Sequence, residues 1–429
     1  MSKILGVDTS TIDNISGLGT GSGGIDPVPA TTDTGIVMCL ISTPAQYPFS
    51  AAELADYGNP AHMFQLSDIT GIVSMTGHIY TYGALKSNGE FYVGTNNTNK
   101  HQHGLSSTDA ADAATNGGMF LALSGVSVAA AHNYGYFAIK TDGTLWFSGS
   151  VGSWLTSAAI GGGSTSSSYG WAQVGSDTDW HDIHVYTNYP NLAVAIKGAA
   201  GSRYLYTTGY GNSYGTGQGN TTRLTAWTRV KSSSGTDLDE SISVAKCSYG
   251  SGIAVLDSGE LYTWGENAYK TLGDGSKTDK PYATQIDDDP EDWNDCWITR
   301  YGAWAKNTSG EMYMSTNRSG FRIEPNTGGL FTKIGTDTDY EDLAVYWMTT
   351  NTMDYTVFAK KGGSWYVSHD GIAAGGWQGS TAVSATTQGA WVAINDVLTQ
   401  NDITGTLDHI HCFFSQNSQS APAVMFALS

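Results

Sequence analysis

The chain has 429 residues, among them 54 Gly, 24 Tyr and 13 Trp, and only 14% of the total are charged. Its 20 basic and 39 acidic residues give a net charge of −19, the wrong sign for neutralising nucleic-acid phosphates, and Lys and Arg stand singly without forming a basic patch. No apolar run approaches the ~18 residues of a membrane span and the N-terminus lacks the apolar core of a signal peptide, so a soluble protein made in a cytoplasm is expected.

Residues 1–31 combine sparse apolar side chains (Ile4, Val7, Ile12, Ile15 and Leu18) with Gly, Ser, Thr and Pro. Such a segment cannot bury enough surface to fold alone. We read it as an extended anchoring arm whose partner contacts are those five residues. Its motif VDTS-x-I-x-x-ISG at 7–17 resembles the leaders of structural proteins from tailed bacteriophages, marine ones especially. The resemblance implies docking on a neighbouring virion protein by added backbone pairing.

From residue 32 a repeat begins. Thr32–Leu40 reads as a turn and a strand, and Ser50–Tyr57 as a short helix with Ser50 and Glu53 at capping-box spacing. Then a hairpin recurs: YGALKSNGEFYVG at 82–94, YGYFAIKTDGTLWFSG at 134–149 and NLAVAIKGAAGSRYLYTTG at 191–209. It continues as SGIAVLDSGELYTWG at 251–265, YGAWAKNTSGEMYMS at 301–315 and YTVFAKKGGSWYVS at 355–368. The six turn glycines (Gly89, Gly143, Gly201, Gly259, Gly310, Gly363) fall 51 to 58 residues apart and suit tight turns that need positive φ. A Gly- and Ser-rich insertion occupies 150–170.

An independent marker gives the count. An aromatic opens a short strand seven times, at Phe64, Phe120, Trp171, Trp227, Tyr282, Phe331 and Trp391. Seven markers against six complete hairpins leave one hairpin to be assembled from the chain ends. The predicted fold is therefore an all-β, seven-bladed β-propeller over residues 32–429, one domain behind the arm of residues 1–31. Its closing blade takes strands near His409–Phe414, Ala423–Ser429, Gly35–Ile41 and Met63–Leu66. Residues 424–428 should pair antiparallel with 35–41.

The stretch Leu256–Asn267 followed by Leu272-Gly273-Asp274-Gly275 resembles the repeat of the regulator of chromosome condensation family. The linker Val174-Gly175-Ser176-Asp177-Thr178-Asp179-Trp180 and its echo Ile334-Gly335-Thr336-Asp337-Thr338-Asp339-Tyr340 resemble the family's bacterial and viral branch. The resemblance implies a propeller. It implies function less narrowly, because members include nucleotide-exchange factors, chromatin binders, adhesins and inhibitors. The acidic charge disfavours chromatin.

Chemistry is sparse. No GxSxG, P-loop, HExxH or dinucleotide fingerprint is present. His409 and His411 share one face of a strand and could ligate a metal, but an innermost strand facing a central channel explains them without one. His101 and His103 read as loop residues. Asp287–Asp292 lacks the calcium-loop pattern, and the Asp177/Asp179 and Asp337/Asp339 pairs read as turn-forming carboxylates accepting backbone N–H bonds. Cys39, Cys247, Cys296 and Cys412 have no CxxC spacing and read as buried free thiols. Trp146, Trp264, Trp304 and Trp365 are assigned to the core. Trp154, Tyr210, Tyr214, Tyr269 and Trp377 sit in loops and are candidate surface contacts.

The expectation is a non-enzymatic virion structural protein of a tailed bacteriophage, made in the host cytoplasm. The arm would anchor it to neighbouring virion proteins, and the propeller would serve host-surface adhesion, through glycan or protein, or particle decoration. No cofactor, metal, nucleic acid or membrane insertion is expected. The alternatives are a bacterial propeller that binds or inhibits another protein and, third, a glycan-cleaving propeller enzyme.

Overall fold

The computed structural model describes residues 35–40, 63–67, 69–78, 81–95, 104–105, 109, 119–132, 135–149, 170–186, 192–286, 292–316, 328–347, 355–369, 391–394, 405–413 and 423–429. The arm of residues 1–31, the helix expected at 50–57, the insertion at 150–169 and the stretch 287–291 lie outside them, as do His101 and His103.

The described residues form seven four-stranded antiparallel sheets. Six are meanders drawn from contiguous segments: 72–123, 126–173, 180–229, 242–285, 293–333 and 340–393. We number these blades one to six. The seventh joins both ends of the chain, in the order Leu407–Phe413, Ala423–Leu428, Gly35–Leu40, Met63–Ser67. Gly35 stands opposite Leu428 and Leu40 opposite Ala423, in the antiparallel register expected from sequence. The innermost strand of this blade packs between those of blades six and one, which completes the ring. Main-chain hydrogen bonds thus hold the ring shut, and no sheet is left with a missing strand.

The core lies between blades, where the face of one sheet meets the next. Phe137, Leu145 and Phe147 of blade two pack with Trp180, Ile183 and Ala195 of blade three. Ile253 and Leu261 of blade four pack likewise with Trp293 and Cys296 of blade five. Trp264, Trp304 and Trp365 are buried as expected, while Trp146 is partly exposed beneath the Lys140 ammonium, 4.4 Å from its ring centroid.

Both sequence markers have a job between blades. All six turn glycines have positive φ. The turn also docks on the next blade: the Gly143 carbonyl accepts from Trp180 N–H at 3.0 Å, and those of Gly89, Gly259 and Gly310 accept equivalently from Val126, Trp293 and Tyr340. A Cβ on Gly143 would lie 2.0 Å from the Thr178 carbonyl oxygen, and one on Gly310 2.3 Å from that of Thr338. Glycine is therefore required by contact as well as by φ. The strand-opening aromatics belong to the outermost strands, with Phe331 and Trp391 one residue ahead of theirs. Tyr282 and Phe331 press on Gly219 and Gly273 of the preceding blade, where a side chain has no room.

The aspartates of the two echoing linkers do something other than expected. Asp177 and Asp337 pair with lysines: Lys197 Nζ lies 2.7 Å from Asp177, and Lys361 Nζ lies 2.5 Å from Asp337. Each ammonium also sits among aromatic rings, Lys197 over Trp180 and Tyr206, and Lys361 over Tyr340, Tyr366 and Trp391. Turn propensity favoured backbone acceptors, but a lysine at the end of the second strand stands within reach and carries the stronger charge-assisted bond.

Candidate functional site: the central channel and its mouth

The innermost strands of all seven blades surround one cavity of about 460 Å³. Each of these strands carries a register shift after its first residue, between Ile72 and Ser74 in blade one and at the matching place in the other six. A bulge turns the strand, so the residues that follow it are aimed alike in every blade. Two tiers result. The first holds Ser74, Val128, Asp182, Val244, Asp295, Asp342 and His409. The second holds Thr76, Ala130, His184, Lys246, Trp297, Ala344 and His411.

The three first-tier aspartates share one local role. Each accepts a hydrogen bond from the next backbone N–H: Ile183 at 2.8 Å, Cys296 at 2.8 Å and Leu343 at 2.7 Å. Asp295 also takes Lys246 at 3.4 Å and Lys306 at 3.9 Å. Burial pushes the Asp182 carboxyl up, with Lys246 opposing the shift and Asp295 adding to it. Lys246 lies 4.3 Å from the centroid of Trp297. These charges stitch blades four and five together.

Second-tier side chains reach across to the following blade. Thr76 Oγ1 accepts from Ala131 N–H at 2.7 Å, His184 Nδ1 accepts from Cys247 N–H at 3.2 Å, and His411 bonds the Gly77 backbone. They satisfy main-chain groups at sheet edges that face the channel. Burial holds the His184 imidazole neutral, lowering its pKa to about 3, with smaller contributions from Lys246 and His411. Burial lowers His411 to about 4 and moves His409 in the same direction. His409 and His411 both line the cavity, as a channel-facing strand requires. Among the described residues, no group of three or more His, Cys, Asp or Glu is arranged to hold a metal ion.

Cys247 Sγ lies 3.6 Å from His184 Nδ1, a pairing that in an exposed cleft would suggest a nucleophile. Burial raises this thiol to about 12, and the same Sγ donates to the His184 and Leu192 carbonyls at 3.5 Å. Neither thiolate nor imidazolium is favoured here, so the pair is packing. Cys296 is a buried free thiol as expected, Cys412 is free but only half-buried on the channel wall, and the Cys39 side chain is outside those described.

One end of the channel is different in kind. Tyr186, Ser248, Thr299 and Arg300 line it, and the Arg300 guanidinium lies 3.6 Å from the centroid of Tyr249 and 5.6 Å from those of Tyr269 and Tyr301. Tyr269 and Tyr301 are themselves 4.5 Å apart, and Tyr186 meets Tyr249 edge-on at 6.3 Å. Glu266 stands 3.9 Å from Arg300, its carboxyl raised by burial and restrained by that guanidinium.

Of the candidate contacts read from sequence, Tyr269 belongs to this mouth, partly buried against the blade-five core. Tyr210 packs against the core between blades two and three with Arg223 over its ring, and Tyr214 ends a short turn with φ 66°. Trp154 and Trp377, and the arm residues Ile4, Val7, Ile12, Ile15 and Leu18, lie outside the described residues. Arg300, Tyr249 and Tyr301 were missed. A signal existed, since a Tyr-Gly step falls at or just before the start of the second strand at 82–83, 134–135, 249–250 and 301–302.

No protein-family model matches the chain, and no curated protein matches it in sequence. Solved structures do. Human WBSCR16 superposes with a TM-score of 0.65 at 9% identity, over 93% of this chain and 99% of that one. Yeast RCC1 (Prp20), solved bound to Kap60, gives 0.64 at 9% identity over 97% and 96%. A further structure of Prp20p from Saccharomyces cerevisiae gives 0.59 at 11% identity over 94% of both chains. The likeness establishes the RCC1-like propeller fold.

Proposed function

We propose that this chain is a non-enzymatic binding propeller of a tailed-bacteriophage virion, held by its N-terminal arm and displayed for host-surface adhesion or particle decoration. One observation carries the binding role: the reactive side chains of the channel are committed to the fold, and a concave, preorganised mouth remains. Asp182, Asp295 and Asp342 accept from the backbone beside their bulges, His184 and His411 bond the next blade, and Cys247 is an inert thiol. What faces outward is an arginine set among tyrosines, a composition typical of contact sites. The virion assignment is supported by the leader motif at 7–17 and by the acidic composition, which keeps the chain off nucleic acid.

Mass spectrometry of purified virions tests the assignment, and absence of the chain from particles overturns it. The first propeller strand begins at Gly35, so deleting residues 1–31 should leave thermal unfolding unchanged and abolish incorporation. A truncated chain that still assembles removes the anchoring role of the arm. A second reading, a propeller that binds or inhibits a non-virion protein, is favoured by the neighbours: one yeast structure is a complex with Kap60, and another concerns binding to Gsp1p and histones. Affinity capture on the intact propeller separates the two readings. Measured turnover of a polysaccharide would replace both with the glycan-cleaving one.

A further inference from the structure

We propose that the channel mouth on blades three to five binds a carboxylated sugar unit, with the Arg300 guanidinium as the carboxylate anchor. The inference rests on the binding role above and names its ligand.

Arg300 is built to receive an anion. Three tyrosine rings hold its guanidinium in place, so little side-chain freedom is left to lose on binding. Its ion pair with Glu266 is long, at 3.9 Å, and burial draws that carboxyl toward its neutral form. A carboxylate suits the planar fork, offering two oxygens to adjacent N–H groups.

The cavity behind Arg300 selects the rest of the ligand. Its volume of about 460 Å³ accommodates a single small unit, which fits a protruding sugar better than a flat protein surface. Its polarity is graded along the axis. Arg300 and Lys246 occupy the mouth and second tier, whereas the lining carboxylates Asp182 and Asp342 lie with His409 in the first tier beyond. A ligand with an acidic group at one end and hydroxyl donors at the other matches that gradient, and a sugar acid is such a molecule. The net charge of −19 repels densely charged polyanions at long range, which favours an isolated acidic unit.

Calorimetric titration of the full-length protein with a glucuronate-terminated oligosaccharide tests this, alongside the same oligosaccharide with its carboxylate methyl-esterified. The acid should bind and the ester should bind about tenfold more weakly or worse, the worth of one charge-assisted hydrogen bond. Arg300→Gln should produce the same loss with the acid, and Arg300→Lys should recover part of it because the charge remains without the fork. Equal binding of acid and ester overturns the proposal. So does absence of binding at millimolar acid, or capture of an acidic peptide through Arg300 in place of the sugar. The acid–ester comparison uses the unmutated protein, so it decides even where Arg300→Gln fails to fold. A negative result here with the chain present in virions leaves the binding-propeller reading standing.

Discussion

Blade four runs without interruption through 242–285 and carries the fullest form of the repeat, whereas blade seven joins 407–428 to 35–67. In blade four the loop after the third strand is wired internally. Asn267 donates to Asp274 at 2.9 Å, accepts from Leu272 N–H at 3.1 Å and takes the Asp279 carboxylate on its own N–H at 2.9 Å. Trp264 fits over Gly252, where a Cβ would meet its ring at 2.1 Å, and donates to the Gly215 carbonyl of blade three at 2.9 Å. The sequence of blade seven lacks the residues of this motif, yet its inner strand carries the same bulge and its sheet the same order. The strand and its bulge define a blade, and the consensus loop tightens it. Both of these blades have a histidine seam at one border, His184 to Cys247 on entering blade four and His411 to Gly77 on leaving blade seven.

The comparison can be broken most severely at blade seven. Removing residues 423–429 takes out the strand that pairs with both Leu407–Phe413 and Gly35–Leu40, so the cooperative unfolding transition should disappear in denaturant titration. Retention of a sharp transition would mean that six blades close without the seventh. In blade four, Trp264→Ala should cost ~3–5 kcal/mol in urea unfolding, since it leaves a cavity between blades three and four as well as an unfilled Gly215 carbonyl. Asn267→Ala should cost ~1–3 kcal/mol, because it leaves the Leu272 N–H buried without its acceptor. An effect of Asn267→Ala as large as that of Trp264→Ala would show that the loop, and not the strand, defines the blade.

The two seams also make the stability depend on pH. His184 and His411 are held at about 3 and about 4, below the ~6.5 of an unfolded chain. Their contribution is complete above about pH 6.5 and is lost as pH falls toward the folded values, because the unfolded chain takes up protons that the folded chain refuses. The midpoint of urea unfolding should therefore decline between pH 6.5 and 4, and His184→Gln with His411→Gln should flatten that decline.

Much of the fold was legible in the residues. The turn glycines and strand-opening aromatics gave the blade count, and the two half-hairpins at 35–40 and 423–428 gave the closure, because hairpin chemistry is local and the repeat multiplies it. The candidate site was legible only in fragments. His409 and His411 were placed on the channel by strand alternation, and Tyr269 was singled out as a loop aromatic. The Tyr-Gly steps beside Tyr249 and Arg300 are a local cue, but not to their meeting, since the two residues lie 51 positions apart and come together only where blades four and five adjoin. The aspartates in Trp180-His181-Asp182, Trp293-Asn294-Asp295 and Tyr340-Glu341-Asp342 share a spacing that the sequence reading passed over, and their role depends on a bulge that no local preference announces.

The sequence by itself therefore determined the strands, their turns, the number of blades and the meeting of the chain ends, all of which follow from spacing along the chain. Tertiary structure alone decided what the ring does with them. It gathered Arg300 and three tyrosines at one mouth, withdrew the channel histidines and Cys247 from reactivity, and paired the linker aspartates with lysines. Those outcomes depend on burial and on distances across blade borders, and neither quantity exists until the seven sheets have closed.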